Sequence, residues 1–152
     1  METKQKEKLI NQLQDLITIN YDAEEGYKTA SEEVKSKALG DFFEVYSKQR
    51  YEFGHDIKQK LHSLNAEISK GTSIGGDLRN SWIKIKSFFT GHDDDAMIEA
   101  CLDLEKAVIA EYDDVLRDEE LSSDTRNMLQ DHKKKIQEAV ERINKLHDIT
   151  EE

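Results

Sequence analysis

No proline interrupts the 152 residues of this chain. A proline inside a helix deletes a backbone hydrogen bond and clashes with the preceding turn, so long helices can run here unbroken. Seven glycines remain as breakers. Only one stretch concentrates glycine and serine: Ser69-Lys70-Gly71-Thr72-Ser73-Ile74-Gly75-Gly76. The chain therefore reads as long helical segments on either side of one connector.

Apolar residues recur at three- and four-residue intervals in every such segment, the period of a helix with one buried face. The first predicted helix covers residues 4–34, with Leu9, Leu13, Leu16, Ile17 and Tyr27 on its stripe. The second covers 36–66, with Ser36 as its N-cap and Leu39, Phe42, Phe43, Tyr46, Phe53, Ile57, Leu61 and Leu64 inward. A short helix at 77–89 carries Leu78, Trp82, Ile85 and Phe89 on one side. Acidic residues Asp93, Asp94 and Asp95 open the next helix, 95–118, where they complement its dipole. Its inward positions are Ile98, Cys101, Leu102, Val108, Tyr112 and Leu116. Ser122-Ser123-Asp124 starts the last helix, 123–149, with Leu129, Ile136, Val140 and Ile143 on its stripe. No strand-period alternation or internal repeat occurs, so residues 1–152 read as one all-α domain.

Hydrophobic and charged residues each make up 36% of the chain, enough for a packed core beneath a charged surface. The formal net charge of −11 argues against nucleic acid or an anionic membrane as principal partner. The run Lys133-Lys134-Lys135 is too short to reverse that balance and reads as a solvated helix face. No apolar run approaches the ~20 residues of a membrane span. The N-terminal residues Met1-Glu2-Thr3-Lys4-Gln5-Lys6 do not lead into a signal-peptide core. A cytoplasmic location follows as the expectation. Cys101 is the lone cysteine, which excludes an intrachain disulfide or a cysteine-cluster metal site and leaves it as a small core residue.

Tight turns join the first two long helices and the last two, so each pair reads as an antiparallel hairpin. About 28 residues, including the short helix, separate the hairpins. A helix of ~30 residues is ~45 Å long at 1.5 Å per residue, and the connector can run back along that whole length. The expected architecture is an antiparallel four-helix bundle with one long crossover carrying a short fifth helix.

Some polar residues fall on the apolar faces when each helix is drawn at about 100° per residue. They are Asn20 and Glu24 on the first helix, Arg50 on the second, Glu105 and Tyr112 on the third long helix, and His132 on the last. Lone buried charges are costly, so these side chains should find one another. With the crossover, Glu24 and Glu105 come to one level, with Tyr46 and Arg50 near it and His132 one to two turns lower. Two readings compete for the layer. In one it is a structural network, with the Arg50 guanidinium bridging Glu24 and Glu105. In the other it is a carboxylate metal site for iron or manganese built from Glu24, Glu105 and His132. The full di-metal set is missing. Glu52 and His55 have the Glu-x-x-His spacing but point about 140–160° away from the stripe, and the residue three before His132 is Leu129. His55, His62, His92 and His147 fall on polar faces or ends.

Several runs also resemble a bacterial ferritin-like four-helix-bundle family of unknown function. They are Ile19-Asn20-Tyr21-Asp22-Ala23-Glu24-Glu25-Gly26-Tyr27, Gln49-Arg50-Tyr51-Glu52-Phe53-Gly54-His55, Gly76-Asp77-Leu78-Arg79 with Trp82-Ile83-Lys84-Ile85-Lys86-Ser87, and Leu104-Glu105 followed by Tyr112. Other members commonly have Gly-Glu where this chain has Leu104-Glu105, and a proline-rich turn where it has Ser122-Ser123. The resemblance implies a ferritin-like fold, in agreement with the crossover, and no activity.

With no complete catalytic set, the leading expectation is a non-enzymatic, self-associating bundle with no resident cofactor, a homo-oligomer or the companion of another protein, in a role such as the stress response. The rival is a ferritin-like iron or manganese protein. A small-molecule pocket near Trp82 is a third reading.

Overall fold

The computed structural model describes residues 3–64 and 94–150. Within them the chain forms four helices and no strand: α1 (Thr3–Glu33), α2 (Lys37–Ser63), α3 (Asp94–Leu116) and α4 (Ser123–Thr150). The helical-bundle expectation thus holds at the level of class. The crossover and the short helix at 77–89, with Trp82 and the pocket placed near it, lie outside the described residues. No helix among the described residues is long and apolar enough to cross a membrane.

The turns are built from capping groups. Ser36 takes an extended conformation (φ −73°, ψ 124°), and its hydroxyl accepts from the Leu39 amide at 3.3 Å, satisfying one of the free donors of the α2 N-terminus. The Asp94 carboxylate accepts from the amides of Lys35 (3.2 Å) and Ser36 (3.0 Å), which seats the first residue of α3 on the α1–α2 turn. At the other end, Ser122 Oγ accepts from the Thr125 amide at 3.2 Å and opens α4. Arg126 donates to the carbonyls of Leu116 (2.9 Å) and Asp118 (2.6 Å), where the end of α3 has no helical donors left. The described helix α2 runs to Ser63 and α3 to Leu116, short of the predicted 66 and 118.

Packing is closest within each hairpin, α1 on α2 and α3 on α4, while α1 also meets α3 and α2 meets α4. Helices α2 and α3 stand diagonally. Among the described residues no Cα of one comes within 8 Å of a Cα of the other. The core holds the predicted stripe residues Leu13, Leu16, Leu39, Phe43, Ile57, Leu61, Ile98, Val108, Leu129 and Ile136, all fully buried. Small rotations correct the expected faces. Leu102, Leu116, Leu64 and Val140 are half-buried, whereas Met97, Leu104, Val115 and Ala139 are buried in the interior. Tyr27 stacks on Phe43 (centroids 5.6 Å apart, 20° between planes), and Phe43 meets the edge of Phe42 at 5.5 Å. Such aromatic pairs contribute about 0.5–1.5 kcal/mol beyond their buried area.

Close approach of α1 and α2 depends on Gly54. A Cβ built there would lie 2.5 Å from Tyr21 Cε1. An alanine in a helix ordinarily gains up to ~1 kcal/mol over glycine. At this position Gly54→Ala is expected instead to destabilise by about 1–3 kcal/mol through overpacking, read as a lower urea midpoint.

Candidate functional site: a buried polar layer

The centre of the bundle is polar. Arg50 is among the largest side chains with no exposure, and it reaches across the diagonal from α2 to α3. Its Nη1 donates to Glu105 Oε1 at 2.9 Å and its Nη2 to Glu105 Oε2 at 2.5 Å, so the pair is bidentate and fully enclosed. A planar fork meeting a planar carboxylate is a geometry a lysine could not supply. The guanidinium carbon lies 5.5 Å from the centroid of Tyr27 and 6.0 Å from that of Phe53. Burial alone would weaken the guanidinium's hold on its proton. The Glu105 carboxylate, with the hydroxyls of Tyr27 and Tyr112, outweighs that and leaves its pKa above the ordinary value. Burial first, and Glu105 second, push the Tyr27 phenol well above its usual range, and both push the Cys101 thiol up as well. The thiol is buried and protonated, which disfavours nucleophilic chemistry there.

A second chain of bonds runs beside this pair from the core to the surface. Asn20 Nδ2 donates to the Leu16 carbonyl and to the Tyr112 hydroxyl, both at 2.9 Å. Tyr112 Oη lies 3.1 Å from His132 Nδ1, and His132 Nε2 lies 3.0 Å from Asp56 Oδ2. Asp56 is about half exposed at 51%, whereas His132 is 1% exposed. Because a carboxylate can only accept, His132 carries its proton on Nε2 and leaves Nδ1 to accept from Tyr112. Phe53 stacks on the imidazole at 4.1 Å. Burial lowers the His132 pKa, against the pull of Asp56. Burial likewise raises that of Tyr112, so both groups sit neutral in the folded bundle. Among the described residues nothing bonds Arg50 Nε or Asn20 Oδ1, and each such buried group costs about 1–3 kcal/mol.

Of the residues expected in the layer, Asn20, Arg50, Glu105, Tyr112 and His132 are buried there. Glu24 is not. It is half-buried on the α1–α2 seam, where its backbone carbonyl accepts from Ser47 Oγ at 2.8 Å. It lines a groove of about 620 Å³ with Lys28, Ser47 and Lys48. Both hydrogen bonds of the Arg50 guanidinium described above go to Glu105, so the expected bridge between two glutamates is replaced by a single pair. Glu24 lies at the edge of its stripe, so a modest rotation of the helix decides whether it faces the centre or the seam. Tyr46 is buried but lies against Phe42, with centroids 4.4 Å apart, outside both chains of bonds. Glu52 and His55 are exposed, as the wheel required.

Asp56 was missed by sequence reasoning. Its one signal is its place three residues after Phe53, at the edge of the stripe. The proposed ligands Glu24, Glu105 and His132 do not come together. Glu105 is held by Arg50, and His132 lies between Tyr112 and Asp56. Among the described residues no group of three or more His, Cys, Asp or Glu side chains could hold one metal ion.

The fold and this layer define a helical bundle whose polar core is bonded to itself. Residues 8–118 match the family described as a domain of unknown function, DUF2383, and the chain belongs to that family. The matched stretch includes Asn20, Arg50, Asp56, Glu105 and Tyr112, while His132 lies beyond it. No curated protein and no solved structure matches the chain.

Two outcomes follow. Glu105→Leu, which strands a buried guanidinium, is expected to cost about 3–5 kcal/mol in urea unfolding, and Arg50→Met with Glu105→Leu to recover most of it. His132 has a lowered pKa when folded, so below pH ~6.5 the unfolded chain binds a proton first. Stability conferred by the neutral imidazole is present above that pH and is lost as pH falls toward the folded pKa. His132→Gln should flatten the wild-type decline in unfolding free energy between about pH 7.5 and 5.5.

Proposed function

We propose that this chain is a non-enzymatic helical bundle that works by association with protein, its own copies first, and that its polar layer specifies how the two hairpins dock. The observation that carries the reading is the mutual engagement of the layer. Both Glu105 oxygens bond Arg50, and both His132 nitrogens bond other side chains. Groups committed in this way act on neighbouring helices rather than on a substrate, and a buried polar contact is well suited to selecting one register among many.

A ferritin-like bundle with a long crossover is the topology we infer. The start of α3 sits on the α1–α2 turn, the end of the bundle from which α2 departs. The end of α2 and the start of α3 thus stand at opposite ends of the bundle, which supports that reading. That topology favours a second reading, an iron- or manganese-binding carboxylate protein. It requires Arg50 to release Glu105 and Glu24 to turn inward.

Elemental analysis of protein purified without chelator, with Arg50→Ala beside the wild type and helical content checked by circular dichroism, tests both readings. Wild type is expected to carry no stoichiometric metal. One or two equivalents of iron or manganese there would overturn the leading reading. Uptake by the folded Arg50→Ala variant alone would identify the arginine as occupying a cation's place.

A further inference from the structure

Between the start of α2 and the end of α4 lies an open groove of about 370 Å³ whose floor is Phe42, Tyr46 and Leu146. Val45 stands at its edge with 58% exposure, more than any other large apolar side chain among the described residues. The two rims differ in charge. The α2 rim carries Asp41 and the α4 rim carries Arg142 and Lys145, all exposed. The groove is thus locally basic on a chain of net charge −11.

We infer that this groove is the contact surface for a second copy of the chain, with a two-fold axis running along the groove. The inference rests on the self-association reading above and gives that reading a location. A two-fold interface brings one patch against itself. An axis parallel to the helices lays α2 of one copy over α4 of the other. Asp41 then meets the other copy's Arg142 and Lys145, and the same contact repeats on the far side. Phe42 and Tyr46 come to the middle and Val45 packs at the rim against the other copy, where paired charges help exclude water from an apolar centre. The opposite charges on the two rims are what this axis requires. An axis across the helices would place like rims together and bring Arg142 and Lys145 onto their own copies, which like-charge repulsion penalises.

Sedimentation velocity on the full chain tests the assignment. Wild type is expected to dimerise, and Val45→Glu to be monomeric with unchanged helical content, since that side chain supports no core packing. Asp41→Arg alone, and Arg142→Glu with Lys145→Glu in another chain, should each weaken self-association by at least about tenfold. Mixing these two variants should restore the dimer, because each rim then meets an opposite charge. A wild type that self-associates with all variants unaffected would overturn the groove as the interface and leave self-association standing. A monomeric wild type would overturn both. A Val45→Cys thiol that resists alkylation in such a monomer would assign the groove to another part of the same chain.

Discussion

The fold turns on one buried ion pair. Arg50 and Glu105 join helices that stand diagonally and do not touch through their backbones, so only a long side chain can connect them. Removing two charges from water is expensive, and a buried pair often adds little net stability compared with apolar residues of the same size. Its effect lies in the difference between correct and incorrect assembly. If one hairpin slides or rotates against the other, a guanidinium or a carboxylate is left unpaired in the core. The penalty for that error is large, whereas leucines slipping past one another would cost far less. A bundle whose apolar packing is concentrated within each hairpin gains a unique register from this contact.

The Asn20–Tyr112–His132–Asp56 chain extends the same principle to the remaining helices. It ties α1 to α3, α3 to α4 and α4 to α2, so that with the ion pair every helix has a polar link to the opposite hairpin. Its order is physically consistent from end to end. The carboxylate at the half-exposed end selects the imidazole tautomer, the imidazole orients the phenol, and the phenol receives the amide. No member needs to be ionised inside the core. The only charge in this chain sits where solvent can reach it, at Asp56.

Surface and interior therefore divide the chemistry between them. The interior is neutral or internally neutralised, while the strong excess of acidic residues lies outside. That excess keeps copies apart at long range, so any association must be local and directional. The α2–α4 groove has those properties, with an apolar floor and rims of opposite charge.

The four long helices, their capping residues and most of the core were legible in the sequence, because they depend on local rules. Ser36 caps α2 wherever that helix lies, and Leu13, Leu16, Phe43 and Ile57 mark their buried faces by spacing alone. The polar members of the layer were also legible, since Arg50, Glu105 and His132 fall on apolar stripes. Which of them meet was decided only by the tertiary structure. Glu24 lies half-buried on the seam with α2, and Arg50 takes one carboxylate instead of two. Asp56, at the edge of its stripe, becomes the partner of His132 because α2 and α4 lie side by side. A helical period specifies an angle within one helix. The relative rotation of two helices comes from how their side chains interlock, and no single stripe contains that information.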